Sequence, residues 1–181
     1  RWSVTFTAED GQEEAAVGEF SQAKDVVTGT FLSNGGDHRY LEGQVQGNEL
    51  YLSTFDGAHA FLYKAHVTGT DGGLAGDFWS GSALHERWVA KRDANAVLPD
   101  AYSVTAMRAE DPKFDFAFPD LAGNTVTSKD AKFQGKVLVI ALGGSWCPNC
   151  HDEAAFLEPL YKEYRGKGLE IVSLMFEHFG D

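Results

Sequence analysis

The 181-residue sequence is poor in cysteine, in positive charge and in long apolar runs, and each shortage closes a class of function. Two cysteines, at positions 147 and 150, cannot staple a disulfide scaffold; a close pair of this kind marks a site. Fifteen Lys and Arg stand against 27 Asp and Glu, a formal net charge of −12. Both parts of the chain are acidic, −7 over residues 1–98 and −5 beyond. No basic stripe exists to neutralise phosphates, which argues against nucleic acid as a partner. The longest apolar run, 137–142, falls far short of the roughly 20 residues of a spanning helix. The chain opens on Arg1-Trp2, inside a strand-like pattern and without an initiator Met. It reads as a mature or trimmed chain, in which the lack of a signal peptide says little about address.

Composition is otherwise that of a globular protein, with 43% hydrophobic and 13% aromatic residues. Candidate strands cover 1–8, 14–20, 25–33, 38–45, 49–55, 59–67, 74–80 and 86–92. They are separated by Gly35-Gly36, Gly47-Asn48, Asp56-Gly57, Gly72-Gly73 and Gly81. Phe61, Tyr63, Ala65 and Val67 alternate onto one face. Residues 1–95 therefore predict an antiparallel all-β meander, and closure into a barrel would remove its exposed edges. Phe55, Phe61, Tyr63, Phe78, Trp79 and Trp88 are expected in its core, around a lumen able to hold an apolar ligand. Asp56 and His59 read as turn chemistry before anything catalytic. Residues 96–113, with Pro99 and Pro112, read as a linker.

The pattern then changes, giving an α+β chain overall. Phe114, Phe116 and Phe118 alternate, and Pro119-Asp120 and Gly123-Asn124 turn the chain into 125–127, a hairpin. Ser128 is expected to cap a short helical turn. The β-branched run 137–142 predicts a strand buried on both faces, and 169–176 a second one. Between them 148–165 predicts a helix with the stripe Phe156, Leu157, Leu160, Tyr161 and Tyr164, and with Glu158 and Lys162 paired on the wet side. Pro159 inside it predicts a kink or break. Strand, helix and strand make a βαβ unit.

Trp146-Cys147-Pro148-Asn149-Cys150 lies where the first of these strands passes into the helix. Pro148 suits the first helical position, which puts Cys147 at the helix N-terminus. There, free N–H groups and the positive end of the macrodipole favour a thiolate. Cys150 lies one turn on, on the same face, suited to resolve a mixed disulfide. Other chemistries fit the bare spacing. Cys147 to His151 satisfies CxxCH, a c-type haem motif with Met107 or Met175 as second ligand. A zinc half-site would recruit His151 or His178. An inert surface pair is the remaining reading. Glu153 is suited either to relay protons to Cys150 or simply to favour the helix N-terminus. Glu177 and His178, past the second strand, read as loop residues first and as neighbours of the active site second.

From Phe114 onward the sequence resembles the TlpA/ResA-like (AhpC/TSA-related) thiol–disulfide oxidoreductases of the thioredoxin superfamily, found in the bacterial envelope. The likeness rests on Phe116-Ala-Phe-Pro-Asp-Leu-Ala-Gly123, Gly135-Lys-Val-Leu-Val139, Trp146-Cys-Pro-Asn-Cys150, Glu153, and Tyr161-Lys-Glu-Tyr164 leading to Gly168-Leu-Glu-Ile-Val172. The resemblance implies a thioredoxin-like redox-active centre, with Cys147 as nucleophile, Cys150 as resolving cysteine and Trp146 as flanking aromatic. Pro148, Asn149 and Glu153 support them. It implies an oxidoreductase without an organic cofactor or metal, acting on protein disulfides in the periplasm or cell envelope. An upstream thiol donor would re-reduce it, and membrane contact would come only through an N-terminal anchor outside this sequence. The rival expectation is a redox-sensing or client-binding envelope protein without turnover. Two departures stand out: Ala155 occupies the family's helix-proline position, with Pro159 one turn later. The family's cis-proline loop, last two strands and closing helices would follow Asp181, so 114–181 is expected to form the N-terminal half of a thioredoxin-like domain.

Overall fold

Nine strands occupy the first part of the chain: β1 (Trp2–Ala8), β2 (Glu13–Ala23), β3 (Val26–Ser33), β4 (Gly36–Asp37), β5 (Leu41–Gln46), β6 (Glu49–Phe55), β7 (Ala60–Thr68), β8 (Gly73–Ser80) and β9 (Leu84–Arg92). The structure, a computed structural model, describes residues 1–104, 106–110 and 114–177. Eight of the strands form an antiparallel barrel in the order β2-β1-β9-β8-β7-β6-β5-β3, which the β3–β2 pairing closes. The short β4 hangs on β3. At eight strands the interior is just wide enough for side chains to fill. Val4, Phe6, Phe31, Leu41, Leu52, Tyr63 and Trp88 fill it, each at most 2% exposed. Tyr63 stacks on Phe78 with centroids 4.4 Å apart, and Phe6 meets Phe31 edge-on at 5.3 Å. The lumen expected for a ligand is thus occupied by the protein's own rings. Two glycines allow backbones to press together at the wall. A Cβ on Gly43 would lie 1.7 Å from the Tyr51 carbonyl oxygen, and one on Gly76 1.9 Å from that of Lys64.

Three sequence expectations for the barrel need correction. The strand expected over 38–45 is broken, because Arg39 takes φ +61° and leaves the extended region. That break turns the His38 ring inward among Phe6, Phe31 and Phe78, with Nδ1 2.5 Å from the Tyr63 hydroxyl. Burial lowers the His38 pKa from its ordinary 6.5, against the opposing pull of Glu14 and Asp37. Phe55 is 71% exposed rather than in the core. Trp79 lies outside as well, half-buried and stacked on His85 at 5.3 Å. Strand parity explains both: Leu50 and Leu52 point inward on β6, and Phe78 on β8, so Phe55 and Trp79 fall on the opposite phase.

The chain divides into two compact units, Arg1–Val104 and Thr105–Asp181. A four-residue helix, α1 (Ala101–Val104), lies in the stretch read as a linker. Asp100 starts it, with a carboxylate oxygen that accepts from the Tyr102 N–H at 3.1 Å.

The second unit begins with the hairpin of β10 (Ala117–Pro119) and β11 (Thr125–Thr127), turned by Asp120, which accepts from the Ala122 and Asn124 N–H groups. Phe116 packs on Phe133 of a short 3-10 helix, Ala131–Phe133. Ser128 does not cap that helix. Its hydroxyl donates to Asp115, and Asp130 occupies the cap position. Strand β12 (Val137–Gly143) pairs in parallel with β13 (Leu169–Met175), from Val137 opposite Leu169 to Gly143 opposite Met175. Between them runs α2 (Pro148–Tyr164), unbroken across Pro159.

The two strands are half-buried rather than covered on both faces, with Val137 and Leu142 about 70% exposed. The helix stripe is narrower than its sequence pattern: Leu157, Leu160 and Tyr161 are half-buried, whereas Phe156 and Tyr164 are exposed. Two strand axes lie only about 5 Å apart, while a helix with its side chains is about 10 Å wide, so the stripe overhangs the pair. Glu170 of β13 ties the layers together, bonding Lys136 and the Tyr161 hydroxyl. Lys136 and Tyr161 together hold its carboxyl below the usual range.

Candidate active site

Strand β12 ends at Gly143, and the chain needs only Gly144, Ser145 and Trp146 to reach the helix. A turn in which the Cys147 N–H donates to the Gly144 carbonyl (3.1 Å) makes the bend. Cys147 is the N-cap of α2 and Pro148 follows inside the first turn, where a missing N–H costs nothing. The Cys150 N–H donates to the Cys147 sulfur at 3.2 Å, and the Cys150 and His151 N–H groups also point at the Cys147 carbonyl oxygen. The sulfur therefore sits on the positive end of the helix, which favours its anionic form. Cys147 and Cys150 are joined in a disulfide, their Cα atoms 5.2 Å apart.

Both cysteines are half-buried. They differ in surroundings: Cys150 lines a small cavity of about 90 Å³ with Leu142, Leu157, Met175 and Glu153, and Cys147 is not among its lining residues. Gly143 makes the close approach possible, since a Cβ there would sit 3.3 Å from the Cys150 sulfur. Trp146 is 43% exposed, and its indole N–H donates to the Phe176 carbonyl at 2.8 Å. Asn149 is half-buried in the first turn, and Glu153 is exposed one turn beyond Cys150.

Other sequence candidates lie elsewhere or do other work. His151 places Nε2 2.8 Å from the Ser145 carbonyl, so the ring nitrogen that a CxxCH haem site would use engages the backbone. Met107 belongs to the stretch before the hairpin, and Met175 to the end of β13. Among the described residues, no group of three or more His, Cys, Asp or Glu side chains is gathered to hold a metal. His178 lies outside the described residues. Asp56 and His59 form a turn in the barrel unit, where one Asp56 oxygen accepts from the Ala58 and His59 N–H groups. Burial pushes the Asp56 pKa up, but those bonds and the His59 side chain outweigh it and hold it low.

Ser145 escaped sequence reading, and Glu177, read there as a loop residue first, belongs to the site. Ser145 donates its N–H to one oxygen of Glu177 (2.9 Å) and its hydroxyl to the other (2.6 Å). The signal lies in the strand register: Gly143 faces Met175, so the residues just beyond each strand must meet.

Residues 109–178 match the AhpC/TSA family. Over 60 residues the chain is 37% identical to the thiol-disulfide oxidoreductase ResA of Bacillus thuringiensis subsp. konkukian (strain 97-27), covering 33% of this chain and 34% of that protein. The same figures hold for ResA of Bacillus anthracis. ResA of Halalkalibacterium halodurans is 31% identical over 67 residues, 37% of each chain. The chain thus spans about a third of the length of these curated relatives. No solved structure matches it. The matched segment is similar to ResA and to the AhpC/TSA family, and the family match, residues 109–178, lies outside the barrel.

Proposed function

We propose that the protein is a thiol–disulfide oxidoreductase that reduces protein disulfides through the Cys147/Cys150 pair. The observation that carries the reading is the Cys147–Cys150 disulfide at the start of α2, with the Cys147 sulfur capping the helix. In the dithiol form, the Cys147 thiolate attacks one sulfur of a substrate disulfide. A Cys147–substrate bond forms, and the other substrate sulfur leaves as a thiolate. Cys150, losing its proton, then attacks the Cys147 sulfur; the 147–150 disulfide forms and the second substrate sulfur leaves reduced. Two electrons have passed from protein to substrate, and an external dithiol donor returns them.

In this reading Trp146 is the flanking aromatic next to Cys147 in the chain, Pro148 starts the helix without wasting an N–H, and Asn149 stands between the two thiols in sequence. Glu153 shares the cavity of Cys150, which supports a reading in which it takes the Cys150 proton through water. The likeness to ResA supports an extracytoplasmic setting, in the periplasm or cell envelope, and clients bearing exposed disulfides. Among the described residues no helix is long and apolar enough to cross a membrane.

The test is catalysed reduction of a model protein disulfide, such as insulin, with dithiothreitol as donor and the full chain as catalyst. Turnover above the uncatalysed rate is expected. No acceleration would point instead to a non-catalytic redox sensor.

A further inference from the structure

The geometry points to Glu177 as a positioning residue of the dithiol site: its carboxylate holds the Ser145–Trp146 turn so that the two cysteines are kept in reach of each other. The inference rests on the redox reading above and adds to it a residue outside the CxxC motif.

Ser145 stands two positions before Cys147, and three of its polar groups are engaged. Its N–H and hydroxyl donate to the two oxygens of Glu177, at 2.9 and 2.6 Å. Its carbonyl faces His151 Nε2 at 2.8 Å, on the first turn of α2. Ser145 thereby links the end of β13 to the helix that carries both sulfurs. The contacts around it point the same way. The Phe176 N–H donates to the Gly143 carbonyl at 2.6 Å, and the Phe176 carbonyl accepts from the Trp146 indole at 2.8 Å. Gly144 is enclosed between them, because a Cβ there would lie 2.3 Å from the indole nitrogen and 2.6 Å from the Phe176 oxygen.

An ionised carboxylate accepts two bonds at once and donates none, which matches the paired donors of Ser145. Holding the turn raises the effective concentration of one thiol at the other, and that concentration sets how readily the disulfide closes. Loss of the hold should shift the couple toward the dithiol.

The experiment equilibrates the full chain in glutathione buffers of graded ratio and counts free thiols after acid quenching. The reaction is dithiol protein plus glutathione disulfide giving disulfide protein plus two glutathione thiols. Glu177→Ala is expected to lower the equilibrium constant for disulfide closure about threefold or more. Ser145→Ala, which keeps the backbone N–H bond, should lower it less. The double variant should match Glu177→Ala, because both changes act through one contact. Glu177→Gln, with one acceptor oxygen left, should fall between wild type and Glu177→Ala. A loss of general stability alone would not move this constant in a folded variant, as judged by circular dichroism. If Glu177→Ala folds and its constant equals that of wild type, the positioning role is overturned. If Glu177→Ala fails to fold, Ser145→Ala decides in its place, an unchanged constant again overturning the role. If wild type itself forms no 147–150 disulfide at any ratio, the redox reading falls, and this inference with it.

Discussion

The N–H of Cys150 donates to the Cys147 sulfur across 3.2 Å, the bond that a Ser or Asp oxygen makes when it caps a helix. One atom is thus both the helix cap and the proposed nucleophile, so changes at position 147 separate folding from chemistry.

Cys147→Ser keeps a capping oxygen and should leave stability within about 1 kcal/mol of wild type. Dithiothreitol-driven insulin reduction should nevertheless fall about 100-fold or more, to the uncatalysed background. Residual turnover near the wild-type rate would remove Cys147 from the mechanism.

Cys150→Ser leaves the proposed attacking thiol without its proposed resolving partner. Mixed disulfides should accumulate and survive a non-reducing gel, and mass spectrometry of the trapped adducts should place the bond on Cys147. Recovery of the bond on another residue, or no adduct at all, contradicts the assigned order of attack.

Trp88 is 2% exposed, and its indole N–H donates to the Asp77 carbonyl at 3.1 Å. Trp88→Ala removes a large ring from a filled interior and should cost about 3–5 kcal/mol in urea unfolding of the barrel. A cost below about 1 kcal/mol would mean that the interior can collapse around the gap.

His38 is held neutral by burial, so its pKa in the folded barrel lies below the 6.5 of the free side chain. The unfolded chain then binds the proton first as pH falls. The His38 contribution is intact above pH 6.5 and is lost progressively below it, down to the folded pKa. The stability difference between wild type and His38→Gln should be constant from pH 7 to 8 and shrink toward pH 5. Thermal unfolding across that range measures it, and a difference that grows on acidification would reverse the sign argued here.

Gly43→Ala and Gly47→Ala form a contrasting pair. A Cβ at Gly43 meets the Tyr51 carbonyl at 1.7 Å, whereas at Gly47, with φ +62°, nothing lies within 4 Å. The first should cost about 3 kcal/mol or more by forcing two strands apart, the second about 1 kcal/mol of left-handed strain. Equal costs would show that the wall yields at β5.

What could be read without coordinates was mostly local. Glycine-marked turns separated the strands, and Pro148 marked the helix start and with it the place of Cys147. Inward and outward phases were harder. Phe55 and Trp79 looked like core because aromatics usually are, yet parity along β6 and β8 puts them outside. The break at Arg39 left no local signal, since a positive φ at an arginine serves the contact between His38 and Tyr63, 25 residues apart in sequence. The role of Glu177, read as a loop residue first, was hidden for a related reason. Its partner Ser145 is 32 residues away, and only the parallel register of β12 and β13 brings them together.

The barrel also begins and ends on neighbouring staves, with Trp2 beside Arg92, the Asp93 N–H on the Arg1 carbonyl, and the Arg1 side chain on the Ala96 carbonyl. Entry and exit of the chain therefore share one seam. A module of that kind can be spliced into another polypeptide, or permuted by joining its ends and reopening it at the Gly47-Asn48 turn, without redrawing a single strand pairing.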